Sequence, residues 1–137
     1  MTSTNQTPTA SAGAPLAAPG SAKKDREVLL HFFRFTSGES WTRQEGWAEN
    51  ADDLGSWYGV TSNADGRVVK LELRGEKNSI GSYTGNSVNG GIPPELGGLD
   101  ALEVLDLSYN ALSGAIPSEL GRLGAMKELS LTRNGLT

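Results

Sequence analysis

Side chains able to do chemistry are few in this sequence. His31 is the only histidine and there is no cysteine, so neither a thiol nucleophile nor a His–Cys metal set can be assembled. Asp52-Asp53 is an adjacent carboxylate pair of the kind general acid–base work would use, yet no base or nucleophile lies beside it. A loop or helix-cap role suits that pair better. The chain carries no G-x-x-x-x-G-K phosphate loop, no dinucleotide fingerprint and no kinase catalytic loop. No enzyme activity, cofactor or metal is therefore expected. The net charge is −4 and the basic residues are scattered, which argues against nucleic acid as a partner, and no apolar run approaches a membrane span. What remains is recognition chemistry, carried by charged, hydroxyl and aromatic side chains at fixed intervals. These are Lys70, Glu72 and Arg74, then Val104, Asp106, Ser108 and Tyr109, then Glu128, Ser130, Thr132 and Arg133.

The intervals come from a repeat. Ile92-Pro93-Pro94-Glu95-Leu96 lies over Ile116-Pro117-Ser118-Glu119-Leu120, a period of 24 residues (116 − 92). Leu105 falls on Leu129, Leu107 on Leu131, Asn110 on Asn134 and Leu112 on Leu136. That spacing, L-x-x-L-x-L-x-x-N-x-L at a period in the twenties, is the signature of leucine-rich repeats. Leu105 and Leu107 alternate, so they face the core of a short strand while Val104, Asp106 and Ser108 face away. Asn110 and Asn134 sit where the strand turns, their amides placed to satisfy unpaired backbone groups. In-register strands would set the outward residues in columns: Lys70, Val104, Glu128; Glu72, Asp106, Ser130; and Arg74, Ser108, Thr132, flanked by Tyr109 and Arg133. An outward Asp106 should tolerate alanine at little cost.

Leu112-Ser113-Gly114-Ala115-Ile116-Pro117 and Val88-Asn89-Gly90-Gly91-Ile92-Pro93 resemble the L-x-G-x-I-P segment of plant-type leucine-rich repeat proteins. The resemblance implies an α/β solenoid with a short parallel sheet on the concave side, a small second strand beside it, and 3₁₀ or helical turns on the convex side. Gly90 and Gly114 suit positive φ. It extends to a helical N-terminal cap over residues 23–67, carried by Ser40-Trp41, Gly46-Trp47 and Trp57-Tyr58-Gly59-Val60. Leu29, Phe32 and Phe33 at i, i+3, i+4 predict a short amphipathic helix ending near Ser37, and the three tryptophans a plug over the first coil. Trp57 to Thr61 should be a strand, Asn63 to Gly66 a turn, and Val69, Leu71 and Leu73 the inward face of the first repeat strand.

Two departures qualify the resemblance. Secreted members carry a cysteine pair at positions that here are Gly55 and Thr61, and a cysteine-free domain fits a reducing compartment. A cytoplasmic location is expected, with secretion or membrane association as the alternative if a signal or transmembrane segment lies outside this sequence. Second, Ile92 lies nineteen positions after Leu73 where Ile116 lies nine after Leu107, so an insertion over 75–85 should form a Gly/Ser-rich loop with Ile80 and Tyr83 as further candidate contacts. Residues 1–22, rich in Thr, Ser, Ala and Pro, read as a disordered leader. Residues 68–137 hold about two and a half repeats and stop before the next G-x-I-P, so the array reads as truncated, leaving an open edge for self-association. A non-catalytic module binding a protein or peptide follows; the alternative is the sensor segment of a receptor-like kinase or a Ras-of-complex type GTPase.

Overall fold

The computed structural model describes residues 21–49, 52–77, 83–84 and 86–137. Helix α1 (Ala22–Phe35) starts where Ser21 Oγ accepts from the Lys24 N–H at 3.0 Å, so the cap reaches two residues into the stretch read as leader. It buries the stripe Val28, Leu29, Phe32 and Phe33, and it ends when the Thr36 hydroxyl and N–H both turn back to the Phe32 carbonyl. Against that stripe the indoles pack in sequence. Trp41 meets Phe33 edge-on at 5.1 Å and Trp47 at 4.9 Å, and Trp47 in turn meets Trp57 at 5.1 Å. Trp41 Nε1 donates to the Thr36 carbonyl and Trp47 Nε1 to that of Tyr58, so neither indole N–H is buried unpaired. Each ring contributes roughly 2–3 kcal/mol by burial. The strand expected from Trp57 begins later. Asp53 caps a 3₁₀ turn at Leu54–Ser56, and Trp57 N and Val60 N both bond three residues back, so β1 spans only Val60–Ser62.

The main sheet runs β1, β2 (Val68–Glu72), β6 (Val104–Asp106) and β8 (Glu128–Ser130). β1 is antiparallel to β2, and the other pairings are parallel, with Leu71, Leu105 and Leu129 in one register. Thr61 pairs with Lys70 but Ser62 with Val68, so β2 bulges at Val69. The bulge turns Val68 into the core and leaves Val69 half-buried, which corrects the simple alternation expected there. A second parallel sheet joins β5 (Asn89–Gly90), β7 (Ala111–Gly114) and β9 (Gly135–Leu136). Gly90 and Gly114 enter it at φ +85° and +82°, the left-handed backbone their positions required. On the convex side, 3₁₀ turns at Pro94–Gly98 and Ser118–Arg122 stack closely: a Cβ at Gly97 would lie 2.4 Å from the Glu119 carbonyl oxygen. The insertion is not a plain loop. Its ends form a hairpin, β3 (Glu76–Lys77) against β4 (Tyr83–Thr84).

The coils are tied by asparagines. Asn110 Oδ1 accepts from the N–H groups of Asn86 (2.9 Å) and Val88 (3.3 Å), and its Nδ2 donates to the carbonyls of Leu73, Leu107 and Ser108. Asn134 repeats the pattern one coil on, accepting from Leu112 N and donating to Leu107, Leu131 and Thr132. Burial falls along the array: Leu105 is 0% exposed and Leu129, its equivalent on the edge strand, 52%. Leu107→Ala should therefore cost about 2–5 kcal/mol and Leu129→Ala much less. Urea unfolding of the two variants side by side checks the coil register, and equal losses would contradict it.

Candidate functional site: the concave face

Parallel pairing sets Lys70 beside Val104 and Glu128, and Glu72 beside Asp106 and Ser130, so two of the expected columns exist as hydrogen-bonded registers. The ladder continues past the assigned strands. Leu73 N donates to Asp106 O and Gly75 N to Ser108 O, which puts Arg74 in line with Ser108 and Thr132. Neighbouring side chains in a column stand about 4.8 Å apart. Lys70, Glu72, Arg74, Glu128, Thr132 and Arg133 are exposed, while Val104, Asp106, Tyr109 and Ser130 are half-buried.

Ser108 differs from the rest. It is 2% exposed and presents nothing outward, because its N–H and hydroxyl both turn onto Asp106 Oδ1, at 3.0 and 2.5 Å. Asp106 is thus part of the turn as well as of the face, and the expectation that alanine is tolerated there is withdrawn. Tyr109 and Arg133 hold left-handed backbone at φ +58° and +59°, one repeat apart, where each strand bends toward its ladder asparagine. The Arg74 guanidinium lies over the Tyr109 ring at 5.2 Å, and Tyr109 N donates to Thr132 O at 2.9 Å, which sets Arg133 in register with Tyr109. Ile80 lies outside the described residues, and of Tyr83 only the backbone is placed, in β4.

Sequence reasoning missed a cluster on the cap. Arg43 stacks over Tyr58 at 4.2 Å and reaches Glu45 Oε2 at 3.1 Å, and this hydrogen bond holds the Glu45 carboxyl below its usual range. Only the fold brings Arg43 to Tyr58, so no local pattern signals it. Among the described residues no group of three or more His, Cys, Asp or Glu is placed to hold a metal ion.

One parallel strand per 24-residue coil, leucines inside, an asparagine ladder and convex 3₁₀ turns define a leucine-rich repeat solenoid. The chain belongs to the plant-type leucine-rich repeat proteins. Residues 101–123 match the Leucine Rich Repeat family. The BIR2 ectodomain from Arabidopsis thaliana superposes with a TM-score of 0.58 at 31% identity, over 78% of this chain and 55% of that one. A plant ice-binding protein gives 0.63 at 26%, over 79% and 32%. The leucine-rich repeat ectodomain of the plant membrane receptor kinase GASSHO1/SCHENGEN3 from Arabidopsis thaliana, in complex with CASPARIAN STRIP INTEGRITY FACTOR 2, gives 0.55 at 29%, over 82% and 15%. The chain thus spans about half of the first and less of the others. No curated protein matches it.

These neighbours overturn the cytoplasmic location expected from the missing cysteines. Two are ectodomains, one of them of a membrane receptor kinase, which points to an extracellular or membrane-associated setting. The inference from cysteine failed because the cap is closed by aromatics packed edge-on and tilted, so its lack of a disulfide says nothing about compartment. Among the described residues no helix is long and apolar enough to cross a membrane.

Two substitutions test the face's construction. Asp106→Ala strips the acceptor from the buried Ser108 N–H and hydroxyl and should cost about 1–3 kcal/mol; chemical denaturation that finds under about 0.5 would show the pair to be dispensable. Tyr109→Asn places a residue that tolerates left-handed backbone at φ +58°, and a loss of stability above about 1 kcal/mol would show that ring packing outweighs strain.

Proposed function

We propose that this chain is a recognition module whose concave face holds a protein or peptide partner. The observation that carries this reading is the content of the columns. A solenoid of this kind is rigid and presents its strand residues at fixed spacing, so a partner is met with little ordering cost on this side. The fold does not choose the ligand, since one neighbour is an ice-binding protein and another is in complex with CASPARIAN STRIP INTEGRITY FACTOR 2. The columns favour a polypeptide. They hold Arg74 and are flanked by Tyr109 and Arg133, the types most often energetically central in protein interfaces, and they do not repeat one short hydroxyl side chain. A second reading, the sensor segment of a receptor kinase, draws on the membrane receptor kinase among the neighbours and differs only in what this module would be joined to.

Selecting displayed random peptides on the full-length chain tests the reading. Enriched peptides should lose roughly tenfold or more in affinity on Val104→Arg, at the centre of the face, and none on Arg122→Ala, on the convex turn. Enrichment that ignores Val104→Arg, or thermal hysteresis in place of any peptide binding, would sink it.

A further inference from the structure

We propose that Thr61, Lys70, Val104 and Glu128 form a charge-graded track across the concave face, taking an extended peptide with an acidic side chain over β2 and a basic one over β8; this rests on the recognition reading above. The first observation is register. Thr61 pairs with Lys70, Lys70 with Val104 and Val104 with Glu128, so one outward residue from each of four strands stands in a single row. The ladders occupy β2 and β6 on both sides, so a ligand lying on the face meets side chains and not free backbone groups. Neighbours in the row stand about 4.8 Å apart, which sets Lys70 and Glu128 about 9.6 Å from each other. A polyproline-type peptide has three residues per turn at about 3.1 Å each, so its side chains at i and i+3 fall on one face about 9.3 Å apart. An acid and a base three positions apart therefore span the row, with Val104 beneath the chain between them.

The second observation is what the row carries. Lys70 and Glu128 are exposed, and neither side chain takes part in a hydrogen bond or ion pair among the described residues. Val104, half-buried, offers aliphatic surface between them. The other rows lack this. Glu72 and Asp106 are like charges side by side, with Asp106 Oδ1 committed to Ser108, and in the third row Ser108 is buried and Arg74 lies over Tyr109. Neighbouring acids grade the track further. Glu72 stands one outward position from Lys70, about 6.6 Å along the strand, and Asp106 lies diagonally from both Lys70 and Glu128 at about 8 Å. They weaken the hold on the ligand's acid and strengthen that on its base, so Glu128 is the stronger end. Lys127, next to Glu128 in the chain, is taken by Glu103 at 3.2 Å. Asp65 sits in the turn joining β1 to β2, and Arg74, Glu76 and Arg133 lie two or more outward positions away, toward the opposite rim.

The probes are displayed random peptides selected on the full-length chain, each synthesised as selected and again with its acid and base exchanged. Enriched peptides should carry an acid and a base three positions apart. The exchanged form should bind the native chain roughly tenfold more weakly and recover to within about threefold on the Lys70→Glu, Glu128→Lys double variant. Lys70→Gln combined with Glu128→Gln should bind both forms alike, and Glu128→Gln alone should weaken the selected form more than Lys70→Gln alone. Glutamine removes charge and keeps most of the side chain, so that pair decides the question even where the reversed pair disturbs the fold. A native chain that does not distinguish the two forms, or a glutamine double variant that still does, would overturn the track. The two proposals fail separately. Peptides that bind through Val104 with no acid and base at this spacing leave the recognition reading standing and remove this one. A selection that enriches no peptide, or none sensitive to Val104→Arg, removes the recognition reading and the track with it.

Discussion

The side-chain amide of Asn110 is the constraint on which the array depends. Its Nδ2 closes the turn of its own coil onto Leu107 and Ser108, and it reaches across to Leu73 in the coil before. Its Oδ1 holds two N–H groups of that same earlier coil. A single residue type thereby satisfies backbone that would otherwise be buried unpaired and fixes the register between neighbours. Everything on the concave face follows from that register. A slip of one residue would turn Leu105 and Leu107 outward and Asp106 inward. The left-handed backbone at Tyr109 and Arg133 belongs to the same device, since the chain must bend sharply to present the asparagine that comes next.

A ladder needs a fixed first rung. Asn86 provides it by accepting from Arg43 N at 2.6 Å and donating to Arg43 O at 3.0 Å, so the cap is bonded to the array in the way coils are bonded to each other. Asp25 makes the second attachment. Fully buried, its carboxylate accepts from Arg67 Nε at 2.9 Å and from Val68 N at 2.9 Å, and Arg67 extends to Asp100 ahead of the next strand. The hydrogen bond to Asp25 raises the Arg67 pKa still further above an already high value. Charge burial of this kind is weak evidence of net stability, but losing one partner leaves a bare charge inside at a cost of about 3–5 kcal/mol. The pair therefore specifies how α1 docks, and the packed indoles supply by burial the stability that a small cap would otherwise obtain from a disulfide.

The sequence disclosed the repeat far better than its edges. The 24-residue period placed Leu105 and Leu129, their strands and their shared columns, because each is set by a side chain whose partner lies one period away, while Leu71, 34 residues before Leu105, was aligned through the resemblance of the cap. Asn86 obeys the same period, yet the insertion before it hid the count until Asn110 was seen bonded to it. Where contacts lie outside the period the reading failed. The bulge at Val69 depends on the antiparallel β1, Trp57 is drawn into a turn by Leu54, and the insertion folds back as a hairpin. Ser108 shows the limit most clearly. Alternation alone sends it outward, and only the nearby Asp106 carboxylate, acting as acceptor for both its donors, explains why it is buried.

That distinction divides the face into two kinds of residue. Asp106, Ser108 and the ladder asparagines are polar because the turns need them, so their chemistry is fixed by the fold and is the same for any ligand. Among the described residues Lys70, Glu72, Glu128 and Arg133 satisfy no backbone group of the turns, so the fold does not dictate what they are. Tyr109 stands between the two, since the turn fixes its backbone and leaves its ring to meet Arg74. In a solenoid whose strands are locked by backbone ladders, the side chains that specify a partner are the ones the ladders do not use. On this chain the side chains left over from the ladders form one mixed-charge band on the concave face.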